Sequence, residues 1–166
     1  MTAPWSNTEI VDLARQIERA GEAFYEAAST VIEDPRIRDL FARLCNEEEK
    51  HAQIFEDLLK GVEYVDGAWR EDEAYLGYLR ALADNRVFPA PEDARKAVAA
   101  LPDAAAAVRM ALGFEKDSIL FFHEMRPLVA EADREILDHL IVEEQRHVRS
   151  LHATLDLLEG RAVRGE

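Results

Sequence analysis

At two places in this sequence a glutamate stands three residues before a histidine: Glu48 with His51, and Glu144 with His147. Residues three apart lie on one face of an α-helix, about one turn apart, so each carboxylate and imidazole could bind a metal ion together. Both pairs lie within runs of apolar residues at helical spacing, which predicts that they are buried. Because a buried, ionised carboxylate is unfavourable unless it is paired or metal-bound, the two pairs indicate one shared metal site.

Each pair also has a partner glutamate upstream: Glu18 lies 30 residues before Glu48, and Glu115 lies 29 residues before Glu144. Both partners fall in apolar stripes and have small residues one turn away, which leaves room for ions. The pattern therefore predicts a duplicated helical hairpin, with Glu on the first helix of each hairpin and Glu-x-x-His on the second. Four carboxylates would balance two divalent cations, as burial requires. This donor set suits iron or manganese, and zinc could also bind; the alternative is surface Glu–His pairs on a metal-free bundle.

Long helices must position these residues. Apolar spacing predicts two helix pairs, over residues 7–60 and 103–159, with breaks at Asp34-Pro35 and around Pro127. Asp34 and Asp103 are placed to cap helix N-termini, and Gly160 to end the last helix. The segment between the pairs, residues 61–102, contains a predicted loop over 62–73 with a turn at Gly67, and two short helices over 74–85 and 92–100. A crossover of this length allows a four-helix bundle whose second and third helices are parallel.

Length and composition agree with a single all-α domain over residues 1–166, because Ala, Leu, Glu and Arg dominate while Gly and Pro are few. A net charge of −14 argues against binding to nucleic acid or to anionic membrane surfaces. The single cysteine, Cys45, excludes an intrachain disulfide and a Cys-x-x-Cys metal site. The sequence shows neither a signal-peptide pattern nor an apolar run of membrane-spanning length, so a cytoplasmic location is expected.

Together these motifs resemble the ferritin-like diiron-carboxylate proteins, and more closely their rubrerythrin branch, over all four long helices. The resemblance implies a ferritin-like four-helix bundle that holds two iron ions, with Glu48 and Glu144 as bridging carboxylates. Tyr25, seven residues after Glu18, resembles the tyrosine beside the metals in many ferritin-like proteins; its implied role is to hydrogen-bond a bound oxidant or to be oxidised itself. The implied metal ligands are Glu18, Glu48, His51, Glu115, Glu144 and His147.

The resemblance further implies redox chemistry with hydrogen peroxide or O2, a separate rubredoxin-like electron donor, and a homodimer that can exchange helices between chains. This sequence departs from rubrerythrin at Ser118, where the family has an extra glutamate associated with peroxide reduction, and it lacks the four cysteines of a rubredoxin domain. The tyrosine-like position of the second half is Phe122. Glu22 could replace the missing carboxylate, although a solvated helix residue is the favoured interpretation.

These departures keep other functions open. One alternative is a ferroxidase or iron-binding protein that oxidises or sequesters Fe2+ without an organic substrate; another is a structural or sensor bundle that holds zinc. Glu47 and Glu143 each precede a proposed bridging ligand and could contact the histidine of the opposite helix, Glu47 to His147 and Glu143 to His51, or could face solvent. The remaining histidines lie off the apolar stripes and are expected to be exposed: His123, His139 and His152.

Overall fold

The computed structural model describes residues 7–60, 72–84 and 89–160, and these residues are helical with short connections and no strand. Their six α-helices are α1 (Asn7–Val31), α2 (Pro35–Lys60), α3 (Glu73–Asp84), α4 (Ala94–Ala99), α5 (Ala104–Met125) and α6 (Arg134–Leu158). Helix α1 packs against α2 and α5, and α6 packs against α5 and α2. The predicted all-α four-helix bundle is confirmed. None of the described helices is long and apolar enough to span a membrane.

The helix ends follow the local signals in the sequence. The Asp34 carboxylate accepts a hydrogen bond of 2.9 Å from the backbone N–H of Arg36, in the first turn of α2. The Asp103 carboxylate accepts one of 2.7 Å from the N–H of Ala106, in the first turn of α5. Such caps satisfy N–H groups that have no partner within the helix. Gly160 follows α6 with a φ of 66°, a conformation that glycine adopts readily and that stops the helix.

Two apolar clusters fill the bundle, one at each end. The Phe24 cluster includes Phe24, Tyr25, Phe41, Leu44, Val108, Phe114, Leu151 and Leu155. The Phe122 cluster includes Ile10, Val11, Phe55, Phe121, Phe122, Leu137 and Leu140. On each of the four long helices the buried glutamate lies, along the chain, between residues of one cluster and residues of the other. The bundle therefore has a buried polar layer at mid-height, closed at both ends by packed apolar side chains.

The crossover between α2 and α5 adds one short helix to each cluster. Leu79 of α3 is buried in the Phe122 cluster, and the Tyr75 hydroxyl lies 3.2 Å from both the carbonyl and the carboxylate of Glu124 on α5. Ala94 and Val98 of α4 are buried in the Phe24 cluster. Both short helices were predicted, whereas the predicted loop with a turn at Gly67 lies outside the described residues, except at its last two positions, where residue 73 already begins α3.

Replacing Gly113 by alanine is expected to stabilise the protein. Gly113 lies inside α5, and a Cβ atom built there would meet no heavy atom within 4 Å. Alanine in a helix interior is favoured over glycine by about 0.5–1 kcal/mol, which corresponds to a rise of roughly 1–4 °C in the midpoint of thermal unfolding. Circular dichroism would measure it. The matched control is Gly160→Ala, which should lower the midpoint because φ is positive there; a fall in the Gly113→Ala protein would contradict the prediction.

Candidate metal centre

The polar layer brings together the six side chains that the sequence predicts as ligands, and all six come from one chain. Each long helix supplies a glutamate, and α2 and α6 also supply a histidine one turn further on. Every one of these residues is 3% exposed or less. They are Glu18, Glu48, His51, Glu115, Glu144 and His147.

The six side chains form two overlapping groups, each able to hold one metal ion. The first consists of Glu18, Glu48, His51 and Glu144, and the second of Glu48, Glu115, Glu144 and His147. Within each group the four potential ligand atoms lie within 4.8 Å of one another. Glu48 and Glu144 belong to both groups. Two adjacent positions that share two carboxylates are the arrangement needed for a dinuclear centre with bridging glutamates.

The orientation of the imidazoles fits metal binding better than hydrogen bonding within the layer. Nδ1 of His51 lies 2.8 Å from Oε1 of Glu144, and Nδ1 of His147 lies 3.0 Å from Oε2 of the same residue. Despite these distances, neither Nδ1 atom and neither Glu144 oxygen has a hydrogen-bond partner in favourable geometry among the described residues. Buried polar atoms without partners are unusual in proteins. These atoms lie close together but do not point at one another. Ligands around a shared cation have this arrangement.

Crowding of buried carboxylates makes the layer electrostatically unfavourable without a cation. Burial raises the pKa of Glu18 and of Glu48 well above the usual range, and the charges of neighbouring glutamates raise both further. Burial and the charge of Glu144 raise the pKa of Glu115 to about 8. For His51, burial opposes protonation, but contact with Glu144 dominates and raises its pKa to about 9. Divalent cations can replace these protons, so the residues fit a dinuclear metal site.

The outer nitrogen of each histidine contacts a carboxylate from the opposite helix. Nε2 of His51 lies 2.9 Å from Glu143 of α6, and Nε2 of His147 lies 2.7 Å from Glu47 of α2. Arg146 donates a further hydrogen bond of 3.1 Å to Glu143. The predicted cross-helix contacts are therefore confirmed. An Nε2–H that donates to a carboxylate leaves Nδ1 free to face the polar layer, as metal-binding histidines require.

The sequence model of the rubrerythrin family matches residues 9–155, a span that contains the whole polar layer. The chain belongs to the rubrerythrin family. A crystal structure from Thermotoga maritima, described as that of a ferritin-like diiron-carboxylate protein, matches with a TM-score of 0.63. The match covers 91% of this chain and 95% of that chain at 19% identity, and it shows the ferritin-like fold. Among curated proteins, none matches significantly. The family match and the buried cluster of glutamate and histidine side chains together indicate a dinuclear metal site in this rubrerythrin-family protein.

Tyr25 lies beside the site, as expected for a ferritin-like protein, and its hydroxyl donates a hydrogen bond to Oε1 of Glu115. Its ring is stacked on Phe41 with centroids 5.7 Å apart. Burial and the charge of Glu115 raise the pKa of Tyr25 well above its usual value. The sequence did not predict this contact, because Tyr25 belongs to the first hairpin and Glu115 to the second. A direct role of Tyr25 in the chemistry stays a prediction.

The position of rubrerythrin's extra glutamate is occupied here by Ser118, which is buried on α5 one turn after Glu115. Glu22 does not replace the missing carboxylate, because it pairs with Arg19 at 2.8 Å, and Arg19 also bonds Glu56 of α2. The interpretation of Glu22 as a helix-surface residue is therefore correct. The remaining histidines are exposed, as predicted: His123, His139 and His152.

Replacing Glu47 by alanine is expected to weaken metal binding at the histidine that it contacts. Without Glu47 the imidazole of His147 loses the acceptor that fixes its orientation, and such changes reduce metal affinity by about 10–100-fold. Isothermal titration calorimetry with Co2+ would measure this loss. Glu143→Ala should have a similar effect at His51, whereas Glu49→Ala, which changes an exposed neighbour, should leave both affinities unchanged. Wild-type affinities in the Glu47→Ala protein would contradict the prediction.

Proposed function

We propose that this protein is a diiron redox protein that reduces hydrogen peroxide or O2 at the buried polar layer. The observation that carries the proposal is the pair of overlapping ligand groups, each with one histidine and both sharing Glu48 and Glu144. Carboxylate and imidazole donors without thiolate suit iron or manganese, and the similarity to a diiron-carboxylate protein favours iron. The chemistry that bound iron would supply is the two-electron reduction of peroxide to two water molecules, with two protons taken up and two ferrous ions oxidised to ferric.

The residues of the chain have distinct tasks in this proposal. The six glutamate and histidine side chains hold the ions, and Glu47 and Glu143 orient the imidazoles from outside. The Phe24 and Phe122 clusters exclude bulk water from both ends of the polar layer, which strengthens the electrostatic interactions within it. Tyr25 holds a proton on its hydroxyl oxygen next to Glu115. The buried layer is accessible to a small oxidant rather than to a bulky organic substrate.

Repeated turnover needs electrons from outside the site. The sequence has one cysteine, too few for the four-cysteine iron site of a rubredoxin domain. On the resemblance to rubrerythrin, we propose a separate, rubredoxin-like electron donor. The homodimer and the cytoplasmic location implied by the sequence stay predictions.

A second candidate function is iron oxidation, in which Fe2+ is itself the substrate and is stored or delivered as Fe3+. Ser118 favours this candidate, because the position associated with peroxide reduction in rubrerythrin lacks its carboxylate here. Both functions use the same six ligands. They differ in how much Fe2+ is consumed and in which oxidant reacts faster.

Stopped-flow absorbance of the reduced, iron-loaded protein separates the candidates. For a peroxidase, oxidation by hydrogen peroxide should be fast and oxidation by O2 slow, with no more than two Fe2+ consumed per chain. Faster reaction with O2, with Fe2+ consumed well beyond two per chain, would show iron oxidation instead. Metal analysis of protein purified without added metal provides the control; a protein that retains zinc and binds no iron would contradict both candidates.

A further inference from the structure

The two halves of the metal site differ at one pair of corresponding residues. Tyr25 follows Glu18 by seven residues, and Phe122 follows Glu115 by seven residues, so the duplication places them at matching positions. The Tyr25 hydroxyl donates to Glu115, across the interface between the hairpins. Phe122 has no hydroxyl and packs against Phe55, with ring centroids 5.3 Å apart. Among the residues that the structure describes, a tyrosine hydrogen bond therefore reaches one half of the site and not the other.

The same difference affects the glutamates of α1 and α5. Glu18 and Glu115 are equally buried, and each has a carboxylate oxygen 3.4 Å from Nδ1 of the histidine in its group. However, within residues 7–60, 72–84 and 89–160 no donor in favourable geometry bonds either oxygen of Glu18, whereas Oε1 of Glu115 accepts the bond from Tyr25. Glu115 is therefore oriented by a hydroxyl donor that is not itself a potential ligand, whereas the contacts of Glu18 are with other potential ligands, Glu48 and His51.

We propose that Tyr25 is a positioning residue that makes the two metal positions unequal. The position of Glu115 and His147 binds its ion more tightly, and the position of Glu18 and His51 is the one that exchanges its ion. The physical reason is preorganisation: a side chain that is already fixed loses less conformational freedom when it binds. Immobilising one such side chain corresponds to about a three- to tenfold difference in dissociation constant. This inference rests on the dinuclear site of the proposed function.

One feature of the other half acts in the opposite direction but is weaker. Arg146 supports Glu143, which orients His51, whereas no such contact to Glu47 occurs among the described residues. The Arg146 side chain is 58% exposed and that of Glu143 is 40% exposed. Exposed ion pairs contribute little because water and salt screen them. The fully buried hydrogen bond of Tyr25 therefore decides which position is tighter.

Zinc titration followed by NMR of 15N-histidine-labelled protein tests this order in solution, because each position has its own histidine. With Zn2+ added below one equivalent per metal-free chain, the Nδ1 signal of His147 should change before that of His51. In the Tyr25→Phe protein, which keeps the ring packing and loses only the hydroxyl, both signals should change together. Calorimetry should show two dissociation constants about three- to tenfold apart in the wild-type protein and a single value in the variant.

The reciprocal variant Tyr25→Phe/Phe122→Tyr moves the hydroxyl to the other half and should reverse the order, with His51 responding first. Simultaneous changes of both histidines in the wild-type protein, or His51 first, would overturn the inference, and so would an unchanged order in Tyr25→Phe. A double variant that does not fold leaves the decision to the wild-type and single-variant titrations. The total number of ions bound per chain distinguishes failure of the inference from failure of the proposed function. Two ions bound with equal affinity reject only the inference, whereas fewer than two ions reject the dinuclear site and the proposed function with it.

Discussion

Loading the site with an excess of Fe2+ under anaerobic conditions is expected to raise the midpoint of thermal unfolding by roughly 8–16 °C for each of the two ions bound. A ligand that binds only the folded state stabilises it by about 4 kcal/mol when its free concentration is 1,000 times the dissociation constant. For a chain of this size, each kcal/mol shifts the midpoint by about 2–4 °C. In the part of the chain that the structure describes, the ion-pair partners of the buried carboxylates are the two imidazoles. Scanning calorimetry would measure the shift.

Repeating this measurement at several pH values tests whether the buried charges cause the shift of the unfolding midpoint. Without metal, the pKa of Glu115 is raised to about 8 and that of His51 to about 9, so the folded protein binds more protons than the unfolded chain. Stability is then greatest below the unfolded pKa values and falls as pH rises through the folded ones, from about pH 5 to pH 9. Metal binding becomes tighter over the same range because it releases protons. The difference between loaded and metal-free midpoints should therefore widen with pH.

Addition of a chelator should return the midpoint to the metal-free value at every pH. The control is Mg2+, a poor match for a site with two imidazoles, which should produce little shift. Iron that binds with no change in the midpoint would contradict the prediction. A metal-free protein that gains stability between pH 5 and pH 8 would show that the buried carboxylates are not the groups whose pKa values are raised.

Local sequence signals were sufficient for the helices and for the positions of the ligands along them. Asp34 and Asp103 cap helices because the capping interaction involves residues two or three apart, which the sequence displays directly. Helical periodicity likewise placed Glu48 and His51 on one buried face. The duplication then brought Glu18 and Glu115 into the candidate site, because nearly equal spacings of 30 and 29 residues in two hairpins imply corresponding positions in the bundle.

Contacts between helices were harder to predict, because periodicity gives the direction of a side chain but not its partner. Glu47 and Glu143 are about half exposed, so the pattern alone allowed both a contact with solvent and a contact with a histidine on the opposite helix. The bond between Tyr25 and Glu115 joins residues 90 apart in the chain. Nor could the sequence say that one chain supplies all six ligands.

Replacing Glu144 by alanine is expected to abolish the dinuclear site. Glu144 is fully buried, belongs to both ligand groups, and places one oxygen near each histidine. Loss of a residue that only orients a ligand already reduces metal affinity by about 10–100-fold. Loss of a shared ligand should therefore reduce metal affinity by more than about 100-fold. Iron binding and the rapid oxidation of the reduced protein should both disappear. Metal analysis and stopped-flow absorbance would measure the two effects.

The same substitution should affect the metal-free protein differently, and this difference identifies Glu144 as a ligand rather than a structural residue. Burial and the charge of Glu48 oppose ionisation of Glu144, but contacts with Glu115 and both imidazoles lower its pKa, so in the metal-free protein it pairs with the imidazoles. Removing one partner of a buried ion pair destabilises the protein, because the other charge is left unpaired. Glu144→Gln keeps the side-chain volume, so its metal-free form should lose only the stability that this pairing provides near pH 8, while Glu144→Ala also creates a cavity. In both variants the rise of the unfolding midpoint on addition of Fe2+ should be absent. Gln145→Ala, at an exposed neighbour, is the matched control. A Glu144→Gln protein that binds two iron ions with wild-type affinity would show that Glu144 does not bridge them, because one amide oxygen cannot replace a two-oxygen bridge.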